Sequence, residues 1–400
     1  MSLNATPSSE RLHIAFFGRR NAGKSSVVNA VTGQPLSVVS DVKGTTTDPV
    51  YKAMELLPLG PVMIVDTAGI DDEGELGKLR VEKSLAVLAK TDIAVLIVDG
   101  TVGLAEADRK MVAEFEKRKL PYIIVYNKSD LGDSPAVSYA HEITVSAATG
   151  ENINELRELI ARQVAPTANA SPLLADLVKP GDLIVLVIPI DESAPKGRLI
   201  LPQQQVIRAT LEAGAIPVCC KDTELEMTLR QIPTPRIVIT DSQAFGKVAP
   251  LISEEIPLTS FSILFARYKG DLATVVRGAA ALDKLKDGDK VLLSEGCTHH
   301  RQCNDIGTVK LPRWISAHAG CQPEFCWSSG TGFPRDLSDY ALVVHCGACM
   351  LPPREVQFRQ SIAAEQNVPF TNYGTAIAHC HGILRRSLSL FPEVQALLDE

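Results

Sequence analysis

Residues 18–25 read Gly-Arg-Arg-Asn-Ala-Gly-Lys-Ser, and this stretch decides the fold of the N-terminal part of the chain. It follows an apolar run and opens a helical pattern, which is the setting of a phosphate-binding loop. Gly18 and Gly23 let backbone N–H groups close around phosphates. Lys24 places a positive charge at the β- and γ-phosphates, and Ser25 is a Mg²⁺ ligand. The loop therefore predicts nucleotide binding.

Three further motifs select the nucleotide. In Asp66-Thr-Ala-Gly69, the carboxylate can hold Mg²⁺ through water and the glycine can follow the γ-phosphate. Asn127-Lys128-Ser129-Asp130 offers a carboxylate to the guanine N1–H and 2-amino group, a donor pair that adenine lacks. Ser146-Ala147-Ala148 completes the base pocket. The predicted GTP-binding residues are Gly18, Asn21, Ala22, Gly23, Lys24, Ser25, Ser26, Asp66, Gly69, Asn127, Lys128, Asp130, Ser146 and Ala147.

Short apolar runs alternate with helical patterns along most of the chain, which predicts an α/β fold. Residues 1–166 are expected to form a Ras-like phosphate-binding-loop GTPase domain. After a Pro-containing linker, residues 172–265 are expected to form a small α/β association domain, and residues 266–400 an α/β domain that carries most of the cysteines and histidines. Within the second segment, the apolar stretch Thr259–Arg267 is either a sheet edge that pairs with another subunit or part of its own domain's core.

Composition excludes several classes of protein. The 400 residues carry a formal net charge of −7, which gives no support for a nucleic-acid partner. There is no long apolar run and no signal peptide, so we expect a cytoplasmic protein without a membrane segment. Seven of the nine cysteines and six of the eight histidines follow residue 296. In a reducing compartment such clustering favours metal binding over disulfides.

The candidate metal ligands follow two predicted strands. Cys297-Thr-His299 comes after the first, and His345-Cys346-Gly-Ala-Cys349 comes after the second. Because parallel strand ends lie at one edge of a sheet, the two groups can converge. Three thiolates suit an iron–sulfur cluster or zinc, and the spacing alone does not decide between them.

The GTPase segment resembles the branch of small GTPases that contains MnmE and Era. Gly44–Asp48 matches the first switch of that branch, so Thr46 is implied as a Mg²⁺ ligand with Ser25 and Asp66. Asn21 matches the asparagine that coordinates K⁺ in potassium-dependent members. The implied catalytic residues are Lys24, Thr46, Asp66 and Gly69. Ile70 stands where Ras-type enzymes have a water-orienting glutamine, so hydrolysis is expected to need a cation or a partner.

The whole chain resembles the HydF family of [FeFe]-hydrogenase maturation GTPases, in which Cys-x-His is followed by His-Cys-x-x-Cys. The resemblance implies a [4Fe-4S] cluster on Cys297, Cys346 and Cys349, with His299 and His345 as fourth ligand or neighbours. It implies a homodimeric scaffold, dependent on GTP, Mg²⁺ and K⁺, that accepts a transient diiron precursor. In this scheme residues 172–265 are the small α/β dimerisation domain and residues 266–400 are the α/β iron–sulfur cluster domain. The implied partners are the radical-SAM maturases HydE and HydG and the apo-hydrogenase HydA. The alternative is an RNA-modification or ribosome-associated GTPase with a structural zinc domain.

Several other residues receive weaker interpretations. Cys303, Cys321 and Cys326 lie in an expected long loop that includes 314–334, either as packing thiols or as a second metal site. His379-Cys380-His381 is expected to open a helix and to line the cluster cavity. Cys219 and Cys220 are expected to be buried thiols on opposite faces of a strand.

Overall fold

The computed structural model describes residues 6–35, 49–70, 84–132, 137, 139–164, 172–190, 199–296, 305–330 and 332–399. The chain forms two compact units, Met1–Ala168 and Asn169–Glu400. None of the described helices is long and apolar enough to cross a membrane.

The N-terminal unit contains a six-stranded sheet with the order β2-β3-β1-β4-β5-β6. Its strands are β1 (Leu12–Gly18), β2 (Val50–Leu56), β3 (Gly60–Asp66), β4 (Ile93–Asp99), β5 (Tyr122–Asn127) and β6 (Glu142–Thr144). All neighbours are parallel except β2 and β3. The described complete α-helices are α1 (Lys24–Thr32), α2 (Glu106–Lys117) and α3 (Ile153–Gln163).

Both faces of this sheet are buried. Ile14 and Phe16 point into one apolar cluster with α1 and α3, whereas Ala15 and Phe17 point into a second cluster with α2. Alternate residues of a strand face opposite sides, so β1 is apolar along its length. This confirms the Ras-like α/β fold of the N-terminal segment. Strand β2 was not predicted, because five of its seven residues are exposed and no apolar run marks it.

The C-terminal unit contains two parallel four-stranded sheets with the orders β10-β9-β7-β8 and β12-β11-β13-β14. The first comprises β7 (Leu183–Val187), β8 (Ile216–Cys220), β9 (Ile237–Thr240) and β10 (Leu258–Ser260). The second comprises β11 (Lys290–Glu295), β12 (Glu324–Ser329), β13 (Leu342–His345) and β14 (Phe370–Asn372). The helices are α4 (Leu201–Glu212), α5 (Leu225–Gln231), α6 (Phe245–Val248), α7 (Phe261–Lys269), α8 (Leu272–Ala279), α9 (Leu311–Ala319), α10 (Pro353–Glu365), α11 (Tyr373–Cys380), α12 (Leu384–Ser387) and α13 (Pro392–Gln395).

The two C-terminal sheets are copies of one arrangement, since in each the first strand in the chain lies between the second and the third. Each copy begins with the same turn: the Lys179 N–H donates to Asp182 at 2.8 Å, and the Lys286 N–H donates to Asp289 at 2.9 Å. Each copy ends with a strand that runs directly into a helix capped by a polar side chain, Ser260 in one and Asn372 in the other. The patterns in the sequence do not predict this repeated four-stranded arrangement, although Gly-Asp stands at the start of both copies, at 181–182 and 288–289.

Several expectations for the C-terminal unit are wrong. Most of Thr259–Arg267 is helix α7, capped by Ser260, and its buried apolar residues lie in the core of the unit. Of the two alternatives for this stretch, the sheet edge is therefore wrong and burial in its own domain's core is correct. Residues 314–334 are not a long loop but contain most of α9 and all of β12. Cys219 is exposed, although Cys220 is partly buried as expected for the opposite face. The proposed division at residues 265 and 266 falls inside α7, and the three-domain scheme stays a prediction.

Candidate functional site

The predicted nucleotide-binding residues gather at one edge of the N-terminal sheet. The phosphate loop follows β1, Asp66 ends β3, Asn127 ends β5 and Ser146 comes shortly after β6. These strands are parallel, so their carboxyl ends meet at the same edge, where open α/β sheets bind ligands. Ser25 and Ser26 are the second and third residues of α1, so the loop opens onto a helix N-terminus.

Lys24 and Asp66 form an ion pair across the phosphate site. The Lys24 Nζ lies 2.9 Å from an Asp66 carboxylate oxygen, and both side chains are largely buried. Gly23 has a left-handed backbone with φ +85°, and a Cβ there would lie 2.2 Å from the Asn127 Nδ2. A glycine is therefore required here by both conformation and space.

Asn127 ties the phosphate loop to the base-binding loop. Its Nδ2 donates to the Ala22 carbonyl at 3.0 Å, and its Oδ1 accepts from the Ala147 N–H at 3.1 Å. Nearby, the Ser146 hydroxyl donates to the Asp130 carboxylate at 2.6 Å. The structure thus brings the first, third and fourth motifs together and orients the carboxylate expected to recognise guanine.

The remaining GTPase residues are placed as follows. Lys128 has φ +73°, and its Nζ lies 2.5 Å from the Asp99 carboxylate. Asn21 is exposed with φ +61°, at the outer side of the loop. Ile70, just after Gly69, is buried in the apolar cluster beside β1. Thr46 and the rest of 44–48 lie outside the described residues.

The second candidate centre lies in the crevice between β11 and β13. In this sheet the chain goes from β11 to β12 on one side and then to β13 on the other, so the β11 and β13 ends form a topological switch point. Ligands bind at such points in open parallel sheets. Cys346 directly follows β13, and its N–H donates to the Ser294 carbonyl on β11 at 2.7 Å. Cys297, two residues past β11, lies outside the described residues, as do His299 and Cys303.

Two backbone N–H groups donate to the Cys346 sulfur. The Gly296 N–H lies 3.1 Å from Sγ and the Ala348 N–H lies 3.4 Å from it. Burial raises the pKa of this thiol to about 11 despite these donors. A bound metal ion would offset that cost, because a coordinating thiol is deprotonated. The two backbone donors and the switch point therefore fit a thiolate-bound metal group.

Lys269 fixes the loop that carries the second cysteine. Its buried Nζ donates to the carbonyls of Cys349 at 3.0 Å and Leu351 at 2.8 Å, with a longer contact of 3.4 Å to Ala348. Burial raises the pKa of the Cys349 thiol, while the Lys269 charge acts in the opposite direction. An ammonium group this close favours an anionic centre.

His345 is held by a buried charged network. Its Nδ1 contacts the Cys346 carbonyl at 2.8 Å, and its Nε2 lies 2.9 Å from Nη1 of Arg359. Arg359 also pairs with Glu355, and none of the three side chains is more than 5% exposed. Arginine can only donate, so Nε2 is the acceptor and the proton sits on Nδ1. Burial, followed by the Arg359 charge, lowers the pKa of His345 to about 3.

Both ring nitrogens of His345 already have partners. The arrangement therefore favours His345 as a neighbour of the metal group rather than as its fourth ligand. Sequence reasoning missed Lys269 and Arg359. Nothing in the pattern around them marks either as different from a surface cation.

The other cysteines and histidines of the C-terminal unit lie elsewhere. Cys326 is in β12, Cys321 precedes it, and both are partly buried. His379 and Cys380 end helix α11 rather than opening a helix, and His381 follows it. The His379 ring contacts Asp283 and His318, not the residues around Cys346.

Comparison with known families accounts for most of the chain. Residues 173–270 match the hydrogen maturase F dimerization domain, and residues 273–390 match the hydrogen maturase F tetramerization domain. The chain belongs to the hydrogen maturase F family. Residues 13–128 match the 50S ribosome-binding GTPase family, so this member of the maturase F family carries a GTPase domain ahead of its two family-specific domains.

The curated relatives resemble the GTPase domain alone. The tRNA modification GTPase MnmE of Synechococcus is 37% identical over 158 residues, which cover 38% of this chain and 33% of MnmE. GTPase Der of Wolinella succinogenes is 35% identical over 167 residues, covering 38% of this chain and 35% of Der. The chain thus spans about a third of the length of these relatives. Among solved structures, Era is 21% identical with a TM-score of 0.35, covering 52% of this chain and 91% of Era.

Proposed function

We propose that this protein is a GTP-hydrolysing scaffold that matures [FeFe]-hydrogenases. The observation that carries the proposal is the union, in one chain, of a GTPase domain and two hydrogen maturase F domains. The geometry supports it with the described nucleotide motifs, which lie at one sheet edge, and with the cysteine loop 346–349, which lies at the switch point of another sheet. The seven described cysteines are all free thiols, in keeping with the reducing cytoplasm that the proposal requires.

GTP hydrolysis is assigned to the N-terminal unit. Lys24 stabilises charge on the β- and γ-phosphates, while Ser25, Thr46 and Asp66 hold Mg²⁺. The buried Ile70 side chain cannot orient water by hydrogen bonding. We therefore assign the missing stabilisation to K⁺ at Asn21, which is exposed on the loop. Hydrolysis is expected to be faster in K⁺ than in Na⁺. Asn21→Ala is expected to lose this stimulation by K⁺ selectively.

The metal centre is assigned to Cys297, Cys346 and Cys349, with His299 and His345 beside them. A [4Fe-4S] cluster on three cysteines supplies one iron position without a protein thiolate. The chain's own contribution is to hold the sulfurs with backbone donors and Lys269, and to keep the site in a buried crevice. In this proposal the diiron precursor, made with HydE and HydG, is cargo that leaves for apo-HydA, and the GTP state controls the exchange of partners.

Oligomerisation follows from the two family domains, and we propose a homodimer as its basic unit. Strand β8 is an edge of its sheet, and Ile216 on it is 51% exposed. Leu211 and Met227 on the flanking helices are also exposed. An open apolar edge of this kind pairs readily with a second strand. The edge formed by β8 therefore replaces Thr259–Arg267 as the candidate contact.

The decisive experiment measures metal in protein purified without oxygen. Wild type is expected to contain iron and sulfide with a brown chromophore, and Cys346→Ser and Cys349→Ser are expected to lose most of both. Cys321→Ser is the matched control, because this cysteine lies outside the switch-point crevice. Colourless protein with zinc, or loss of iron only in the Cys321 variant, would contradict the assignment. Hydrogenase activation with the same variants tests the scaffold role separately.

A further inference from the structure

A second group of metal-ligand side chains lies away from the switch-point crevice. Asp283 lies in the 3₁₀ turn Ala280–Lys284, His318 near the end of α9, and His379 near the end of α11. The Nε2 atoms of His318 and His379 lie 2.6 Å and 2.9 Å from the same oxygen of Asp283. All three ligand atoms are within 4.8 Å of one another.

Buried neighbouring residues hold the three side chains in place. Leu282, next to Asp283, is fully buried, and so are Ile315 and Ala376. Each of the latter two stands three residues before one of the histidines, on the neighbouring part of the same helix face. All three belong to one apolar cluster, so the imidazoles and the carboxylate are fixed relative to each other by packing. Such support is what a metal site needs from its scaffold.

We propose that Asp283, His318 and His379 bind one divalent first-row transition-metal ion through two imidazole nitrogens and one carboxylate oxygen. Nitrogen and oxygen donors of this kind suit Zn²⁺, Fe²⁺ or Ni²⁺, and three protein ligands leave coordination positions open for water or another small ligand. The site is separate from the cysteine loop and does not depend on the proposed hydrogenase role.

The geometry needs little adjustment to admit an ion. Zinc–nitrogen and zinc–oxygen bonds of about 2.0–2.2 Å put tetrahedral ligand atoms about 3.3 Å apart. The present contacts are shorter, so the side chains must spread by roughly half an ångström. The two rings are inclined at 64° with centroids 5.0 Å apart, so both Nε2 atoms approach the carboxylate from different directions. The His318 and His379 side chains are 24% and 17% exposed, which gives an ion access from solvent.

Charge also favours the ion. Burial raises the pKa of Asp283, but hydrogen bonds from the two histidines outweigh it, and the net direction is downward. The carboxylate is therefore ionised at neutral pH. In the ion-free site each Nε2 carries the proton that it donates to the carboxylate. When an ion binds, that proton is released or the neutral ring takes the tautomer with its proton on Nδ1, so that Nε2 presents a lone pair and the ion replaces the two hydrogen bonds to the carboxylate.

The proposal is tested by titrating the full-length, chelator-stripped protein with Co²⁺ under reducing conditions. Binding at this triad gives d–d absorption without the thiolate charge-transfer band that the cysteine loop produces. Asp283→Asn and His379→Gln are expected to lose one bound ion or to bind it at least about tenfold more weakly. His381→Gln is the matched control: it removes a histidine two residues away whose ring packs on Trp314 instead, 5.3 Å between centroids.

A second readout is independent of the cysteines. Trp314 is four residues before His318 on α9, so Ni²⁺ at the triad is expected to quench its fluorescence in wild type and in His381→Gln, but not in Asp283→Asn. Asp283→Asn keeps the shape of the side chain, and circular dichroism checks that it is folded; His318→Gln is the substitute variant if it is not. Wild-type stoichiometry and quenching in the folded triad variants would overturn the proposal and leave an ion-pair network only.

Discussion

The guanidinium of Arg359 donates to Nε2 of His345 across 2.9 Å, in a region where neither side chain is more than 2% exposed. The same guanidinium pairs with the buried Glu355 and donates to the Gly330 carbonyl at 2.7 Å. One cation thus satisfies a histidine, a carboxylate and a backbone carbonyl beside the cysteine loop. Its removal leaves all three without a partner that they have in the native fold.

Arg359→Met is expected to destabilise the C-terminal unit by about 3–5 kcal/mol, because it removes the cation that is paired with the buried Glu355 charge. The double variant Glu355→Gln, Arg359→Met is expected to recover part of this loss. Urea unfolding followed by tryptophan fluorescence measures the free energy of unfolding of this unit alone, since Trp314 and Trp327 are the only tryptophans of the chain and both lie in it. Equal stability of the single and double variants would argue against an energetically coupled pair.

Gly278→Ala is expected to destabilise the same unit, because a Cβ at this position on α8 would lie 2.0 Å from the Phe370 carbonyl oxygen. Overpacking typically costs about 1–3 kcal/mol, and a clash with backbone falls at or above the upper end of that range. Gly246→Ala on α6 is the control, since a Cβ there meets nothing within 4 Å. The control should be neutral or gain about 0.5–1 kcal/mol. Equal unfolding midpoints for both variants would show that α8 shifts freely on β14.

Asp130→Asn is expected to lower GTP affinity at least about tenfold and to relax the preference for guanine, because the amide loses the charged double acceptor. Ser146→Ala should have a smaller effect of about 0.5–1.5 kcal/mol, since it removes only the hydrogen bond that orients the carboxylate. Competition of GTP and of ATP against a fluorescent guanine nucleotide measures the GTP affinity and the preference for guanine in each variant. If Asp130→Asn binds GTP as wild type does, another residue recognises the base.

Lys24→Ala is expected to abolish GTP hydrolysis while iron and sulfide content stay near wild type. The reason is that the phosphate loop and the cysteine loop belong to separate compact units with separate apolar clusters. Lys110→Ala is the control, because that lysine is 75% exposed and pairs only with Glu106 on its own helix. Loss of iron in Lys24→Ala alone would mean that nucleotide binding is needed to build or keep the metal centre.

The nucleotide site could be predicted from sequence because its motifs are local. Each follows an apolar strand, and parallel strand ends necessarily meet at one sheet edge, as Asn127 and Ala22 do. The second centre was harder to predict. Lys269 reaches it from a helix 80 residues before Cys349. Arg359 is only 14 residues after His345, but nothing in the pattern around it distinguishes it from a surface cation. The sequence predicts a loop at 314–334 because β12 is an edge strand, whose aromatic Trp327 is 45% exposed and which no continuous apolar run marks. The triad around Asp283 depends on the same misassigned segment.

The repeated sheets of the C-terminal unit have an evolutionary consequence. Their common strand order and matching first turns are most simply explained by duplication of one ancestral four-stranded module. Asp241 directly follows β9 in the first copy, where Cys346 directly follows β13 in the second. The first copy thus forms the same sheet with a carboxylate, not a thiol, after its third strand. The sheet arrangement itself therefore does not depend on a cysteine at this position, and the thiol is a feature of the second copy alone.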